Sequence, residues 1–260
     1  MIDRGLGYLK DPHSDDDVRL GVARSHLLLG SGDLPESDLH LVEHAPPVMD
    51  QGGSESCVAM TIACMGYVMQ DVAGMEAVLP SPGFIWWNSR KSHSDETLNI
   101  GTYLRNAFWT LQNLGIAPES LCPVSEIDWK FAERPSHQAY QHAYDARFDV
   151  DFIRLDGSGD ELKRQVKSCI VQGLPVGIGT LVSKAFTQLG HHDLVEIPEG
   201  DPIAGGHAMC VVGYDWQGVV IRNSWGTDWG NGGDGHLSWR YFTENWVDDV
   251  WALRRMPQIG

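Results

Sequence analysis

The run Gly205-Gly206-His207-Ala208-Met209-Cys210-Val211-Val212-Gly213-Tyr214, followed by Asp215-Trp216-Gln217-Gly218 and then by Val219-Val220-Ile221-Arg222-Asn223, decides how this chain folds. Two short apolar segments flank a connection of turn formers, which is the pattern of an antiparallel β-hairpin. Counting back from the turn sets position 210 opposite about 223 and brings His207 within reach of the Asn223 side chain. Strands are also expected over Leu174–Leu181 and His236–Arg240, so the C-terminal half reads as β-rich.

Upstream the period changes. From Ser56 to Gln70 the apolar residues Val58, Ala59, Ile62, Ala63, Met65, Tyr67 and Val68 surround the helix instead of forming one stripe, which predicts a central, buried helix. A cleaner amphipathic helix follows Gly101-Thr102 through Leu104, Ala107, Phe108, Leu111 and Leu114, stopping at Gly115. A third spans Leu162, Val166, Cys169 and Ile170 and closes at Gly173. Helices first and strands after argue for an α+β fold, not a doubly wound sheet.

Composition narrows the classes of function. The 260 residues carry 19 Lys+Arg against 35 Asp+Glu, a net charge of −16, which argues against a nucleic-acid partner because such proteins display basic stripes. No apolar run approaches the ~20 residues needed to span a bilayer, and Met1-Ile2-Asp3-Arg4-Gly5 lacks the layout of a secretory signal, so no membrane association and a cytoplasmic location are expected. Five cysteines (Cys57, Cys64, Cys122, Cys169 and Cys210) without C-x-x-C spacing fit free thiols better than disulfides or a zinc ribbon. No metal or other cofactor is expected; His191-His192-Asp193 has no second ligand pair, and Gly230–Gly235 lacks the Lys and Ser/Thr of a phosphate loop.

Cys57 stands at the start of the buried helix after the turn-forming run Gln51–Ser56, where free backbone N–H groups and the helix dipole favour a thiolate. Cys64 lies two turns further on, ~10 Å along the axis, and is assigned to the core. An asparagine oxygen accepting from one ring nitrogen of His207 would leave the other for a sulfur, the nucleophile, base and orienter arrangement of covalent catalysis.

These residues resemble the papain-like cysteine peptidases. The similar segments are Pro47–Gly52 with Ser56-Cys57, Gly206-His207-Ala208 with Val211–Tyr214, and above all Ile221-Arg222-Asn223-Ser224-Trp225-Gly226-Thr227-Asp228-Trp229-Gly230. The order Gln, Cys, His, Asn matches, with the histidine 150 residues after the cysteine. The resemblance implies a two-lobed fold with a cleft between a helical lobe, about 50–150, and a β-rich lobe, about 151–255, within a peptidase domain of 39–260. It implies that Cys57 is the nucleophile, His207 the general base and acid, Asn223 the imidazole orienter and Gln51 the oxyanion donor. Trp225 resembles the ring that shields the His–Asn hydrogen bond, and Gly101, Thr102 and Gly206 are expected along the path of a bound peptide or protein substrate.

The chain departs from the family's local signature around the nucleophile, reading Ser54-Glu55-Ser56-Cys57-Val58, and Glu55 brings a negative charge expected to raise the thiol pKa. Two other readings of the same residues are a different thiol acyl transfer, including amide hydrolysis, and a catalytically silent peptide-binding module. Retention of all four polar residues favours an enzyme. Residues 1–38, rich in breakers, are expected to form an extended arm that docks on the body through Leu6, Tyr8, Leu9, Val18, Leu20 and Leu27–Leu29; a short segment lying across the cleft is the alternative. Side-chain specificity and oligomeric state are not legible.

Overall fold

The computed structural model describes residues 4–20, 33–91, 96–126, 130–145, 150–189, 194–197, 199–256 and 259. Leu27–Leu29, the glycines at 30 and 32, and His191–Asp193 lie outside them, as does the side chain of Leu20.

The central helix, α1 (Cys57–Val72), buries residues on all sides, from Cys57 through Gly66 without a break and again at Val68 and Gln70. Small residues make this possible: a methyl group on Gly66 would come within 2.5 Å of the Met256 side chain. The one large polar group on this face, Gln70, is satisfied in place, donating to the Gly66 and Val78 carbonyls and accepting from the Val78 N–H. Two helices, α2 (Pro82–Lys91) and α3 (Leu104–Leu114), cover one side of α1. α3 ends as expected at Gly115, whose φ of 83° suits a residue without Cβ. A short strand, β3 (Thr102–Tyr103), leads into α3, and α4 (His137–Asp145) packs against it further on.

On its other side α1 meets a large sheet. Its strands are β2 (Arg19–Leu20), β4 (Asp151–Leu155), β10 (Val247–Arg255), β5 (Val176–Ser183), β7 (Ile203–Tyr214), β8 (Gly218–Arg222), β9 (Asp234–Ser238) and β6 (Leu194–Val195), in that spatial order. The pairings β2–β4 and β6–β9 are parallel and the others antiparallel. Helix α5 (Asp160–Val171) and the short α6 (Arg240–Thr243) pack together beside the sheet. The hairpin of β7 and β8 sets Cys210 opposite Arg222, with an irregularity between Val211 and Gly213 that absorbs an extra residue on β7.

The α+β, two-lobed reading therefore holds. The N-terminal segment is more integrated than an arm laid on a surface. Its strand β1 (Tyr8–Leu9) pairs in parallel with β3 in the helical lobe, and β2 joins the edge of the large sheet. Tyr8 is buried and Leu6 packs against the core, whereas Leu9 and Val18 are 41 % and 50 % exposed and anchor nothing.

Besides two-residue strands and the one-turn α6, the sequence reading missed four longer elements: β4, β10, α2 and α4. The charges of Val247-Asp248-Asp249-Val250-Trp251-Ala252-Leu253-Arg254-Arg255 disguise β10, a strand in the interior of the sheet. Fully buried Trp251 on this strand packs with Phe108 and Phe152, each 5.8 Å away between ring centroids. Trp251→Ala should cost about 3–5 kcal/mol of stability by removing a large side chain from a packed interior; a urea unfolding series showing a loss below ~1 kcal/mol would contradict the central place given to this strand.

Candidate active site

α1 begins at the wall where the two lobes meet, and its first residue is Cys57. The preceding turn is tied down by Gln51 and Ser54: Ser54 N–H and Oγ both donate to the Gln51 carbonyl, and Ser54 Oγ lies 2.8 Å from Ser56 Oγ. Gln51 is bound from the other lobe as well. Its N–H donates to the Ser224 carbonyl at 2.9 Å, and its Oε1 accepts from Ser224 Oγ at 2.6 Å. The loop before the helix and the loop after β8 are thus locked to one another.

β7 carries His207 and the end of β8 leads to Asn223. His207 Nε2 donates to Asn223 Oδ1 at 2.8 Å, an oxygen that also accepts the Ser224 N–H at 2.7 Å. Trp225 lies flat on the imidazole, with ring centroids 4.3 Å apart and planes 24° apart. Phe186 and Trp229 complete an aromatic wall around these rings: Phe186 packs on His207, Trp225 and Trp229, and Trp229 Nε1 donates to the Phe186 carbonyl. Phe186 was not singled out from sequence, because nothing in its neighbourhood of the chain points to β7. Three buried polar atoms in this region make no hydrogen bond to any of the described residues: His207 Nδ1, Asn223 Nδ2 and Trp225 Nε1. Buried polar groups are nearly always paired, so such a cluster marks a place where something else is to be bound.

The cleft is filled by the protein's own N-terminal segment. Arg4 lies over Trp225, 5.2 Å from the ring centroid. The Gly5 N–H donates to the Gly52 carbonyl, and the Gly5 carbonyl accepts from Gln51 Nε2 at 3.2 Å. The Cys57 side chain is fully buried, and Gly7 packs against Glu55, two residues before it. The Gly7 carbonyl accepts the Thr102 N–H at 2.9 Å, and Tyr8 and Leu9 pair in parallel with Thr102 and Tyr103. Room for this comes from opposed glycines: a methyl on Gly7 would stand 1.9 Å from the Glu55 carbonyl oxygen, and one on Gly101 would stand 2.1 Å from the Gly7 carbonyl oxygen. The alternation Gly5-Leu6-Gly7-Tyr8 was the available signal in the sequence.

Tyr8 turns into a slot whose walls lack side chains at Gly179 and Gly206. At its end the hydroxyl donates to Asp249, a fully buried carboxylate on β10 that also accepts from Arg154 and from the Asp11 N–H. Asp11 in turn accepts from Trp251 Nε1 at 2.9 Å.

Under this cover the site is electrically quiet. Burial pushes the Cys57 thiol up to about 11, with Glu55 a minor contributor, and outweighs the N–H groups that lower it. Burial also pulls His207 down to about 4, against the Asn223 hydrogen bond that supports its charged form. The helix start therefore does not suffice to make a thiolate while residues 4–9 exclude water.

Residues 43–241 match the model of the papain family cysteine proteases. The chain belongs to that family and is a cysteine peptidase. Among curated proteins it is 26 % identical to an uncharacterized peptidase C1-like protein of Acanthamoeba polyphaga mimivirus, over 98 % of this chain and 88 % of that one. Among solved structures it superposes on xylellain, a cysteine protease from Xylella fastidiosa, with TM-score 0.83 and 25 % identity, covering 98 % of this chain and 97 % of the other. A procathepsin B from Trypanosoma congolense gives TM-score 0.71 at 16 % identity, covering 99 % and 87 %. No helix among the described residues is long and apolar enough to cross a membrane.

The Asp11 carboxyl is raised to about 6, first by burial and then by the Asp249 charge, against the opposing effects of Arg105 and the Trp251 hydrogen bond; Arg154 also faces it at 3.4 Å. A raised pKa means that the docked segment holds the proton more tightly than the released one. Docking is therefore strongest below the ordinary value of 3.8 and weakens as pH rises through about 6. Hydrogen exchange of residues 4–9, corrected for the intrinsic effect of pH, should accelerate between about pH 4 and 6 in the native chain and stay flat in Asp11→Asn. Equal profiles would remove Asp11 from the docking balance.

Proposed function

We propose that the chain hydrolyses peptide bonds with Cys57 as nucleophile, His207 as general base and acid, Asn223 as imidazole orienter, and Gln51 Nε2 with the Cys57 N–H as oxyanion donors, and that residues 4–9 hold the cleft shut. The observation that carries this reading is the 2.8 Å hydrogen bond from His207 Nε2 to Asn223 Oδ1 beneath the Trp225 ring. It fixes the imidazole by one nitrogen and leaves Nδ1 without a partner among the described residues.

Once the segment leaves and water enters, the burial that keeps both groups neutral is relieved, and the thiol proton passes to the imidazole. The thiolate forms a bond to the peptide carbonyl carbon, and the carbonyl π pair moves to oxygen, which the Gln51 amide stabilises; the Gly5 carbonyl occupies that donor in the closed form. Collapse breaks the C–N bond as His207 gives its proton to the departing amine. Water then attacks the thioester, its proton going to His207, and the acid product leaves as the thiol is restored. Trp225 shields the His–Asn hydrogen bond from water throughout.

The proton donor fixes the polarity of the cleft. The leaving amine belongs on the side of Trp225 and Arg4, next to a cavity of about 310 Å³ lined by Val48, Asp50, Gly52 and Asp228 among others. The acyl half then lies toward Thr102 and the Tyr8 slot. A substrate runs from that slot toward Trp225, whereas the N-terminal segment runs from Arg4 to Tyr8, opposite in sense, so its own bonds are not presented for cleavage.

An epoxide or iodoacetamide probe tests the assignment at near-neutral pH, with the modified residue mapped by mass spectrometry. Cys57→Ala should abolish both labelling and peptide hydrolysis while the fold persists; modification that survives at Cys64 or Cys169 would overturn it. Asn223→Ala should slow turnover without eliminating it, because β7 still holds His207 in place. Gly7→Ala should accelerate Cys57 labelling by roughly tenfold or more, since the added methyl cannot sit against the Glu55 carbonyl and shifts the docking equilibrium by about 1.4 kcal/mol or more. An unchanged rate would mean that the segment does not gate the thiol.

A further inference from the structure

Two consecutive glycines, Gly52 and Gly53, open the turn that leads into Cys57, and Gly52 takes a φ of 56°. A turn of this composition has conformational freedom that its surroundings must remove if Cys57 is to keep one orientation. Gln51, Ser54, Ser56 and Ser224 remove part of it through the hydrogen bonds described above. The Gly53 carbonyl and the Glu55 N–H are left over, and a single side chain takes both. Asn99 Oδ1 accepts the Glu55 N–H at 2.9 Å, and Asn99 Nδ2 donates to the Gly53 carbonyl at 3.2 Å. A side-chain amide carries the same donor and acceptor as a peptide group, so Asn99 bonds the turn much as a neighbouring strand would.

Asn99 is itself held on both sides. The Leu98 carbonyl accepts from Arg90, and the Ile100 carbonyl accepts from Trp86 Nε1 at 3.0 Å. Both donors belong to α2 and are buried, with the Arg90 guanidinium 3.8 Å from the centroid of the Trp86 ring. Arg90 reaches the Phe131 carbonyl as well, at 2.7 Å. The backbone before and after Asn99 is therefore fixed to the helical lobe, and only its side chain crosses to the turn. All five cysteines are free, so no disulfide joins the two segments and the amide is the tie between them. Asn99 is exposed, and hydrogen bonds open to water contribute little to folding. Their effect falls on geometry: Gly53 and Glu55 lie four and two residues before Cys57.

We propose that Asn99 is a positioning residue for the hydrolysis, its side-chain amide holding the Gly53–Cys57 backbone so that the Cys57 N–H and the Gln51 amide meet on one oxygen. This inference rests on the peptidase reading above. Ser224 grips the turn from the sheet lobe and Asn99 grips it from the helical lobe. A misplacement of ~1 Å in such a constellation can cost about a hundredfold in rate.

The test compares the full chain carrying Gly7→Ala with the same chain carrying Asn99→Ala in addition, on one peptide anilide. kcat should fall roughly tenfold or more with KM nearly unchanged, because the lost interaction matters only in the transition state. Affinity for a peptide aldehyde, whose adduct with the thiol sets an oxygen between the same two donors, should fall by a similar factor. Asn99→Asp keeps the acceptor for the Glu55 N–H, loses the donor to Gly53 and should fall between. A purely structural role would lower the melting temperature and leave kcat per folded molecule and aldehyde affinity unchanged; that outcome overturns the proposal, and Asn99→Asp decides it should Asn99→Ala not fold. Amide exchange over residues 53–57, measured in the full chain carrying Cys57→Ala, needs no turnover and should accelerate several-fold on removal of the Asn99 amide, while exchange within α1 stays the same; equal rates also overturn the proposal. If no form hydrolyses the peptide but exchange accelerates, the peptidase reading fails and the hold of Asn99 on the turn stands. If the peptide is hydrolysed with kcat unchanged by Asn99→Ala, the positioning role fails and the peptidase reading stands.

Discussion

Everything at the site depends on the burial of α1. A helix that hides apolar side chains all round has to be enclosed from both sides, by α2 and α3 on one and by the sheet on the other, and this forces the junction of the two lobes to run past its first turn. Cys57 is thereby held by packing that no loop could supply, and the Gln51–Ser224 hydrogen bonds tie the facing loops at the same point. The geometry of the candidate site is a by-product of closing the core around one helix.

What the sequence discloses and what it hides follow from the same physics. The β7–β8 hairpin is legible because a strong turn signal sits between two apolar runs, and its pairing of Cys210 with Arg222 falls one residue from the count made on the sequence alone. The order of Gln51, Cys57, His207 and Asn223 is legible because these residue types serve one kind of chemistry. β10 is hidden: Asp249 is a core residue only in combination with Arg154, Asp11 and Tyr8, and three of these four come from distant parts of the chain. Phe186 is hidden for the same reason, its role being defined by rings that reach it from β7 and from the loop after β8. The ionisation of Cys57 is only partly legible in the sequence, because the helix start lowers a thiol pKa while burial, which here outweighs it, depends on residues far along the chain.

Glycine placement connects the N-terminal segment to the cleft. Gly5 and Gly7 face the floor at Ser54 and Glu55, Gly101 faces Gly7, and Gly179, Gly205 and Gly206 make room for Tyr8 and Leu6. Backbone thus meets backbone on three sides. Such contacts follow the extended shape of the segment's backbone, and its Tyr8 side chain is held in the slot that ends at Asp249.

Parallel pairing of β1 with β3 by only two residues is a weak attachment for separate molecules. The partners here are parts of one chain, and the relevant comparison is with dissolved competitors. Covalent continuity gives such an occupant an effective concentration in the millimolar range or above. A free peptide making the same contacts would have to approach that level to take half of the clefts, and dilution of the protein would leave the balance unchanged. The strength of closure is therefore a property of the fold, adjustable through single contacts such as those at Gly7 and Asp11, and independent of how much protein is present.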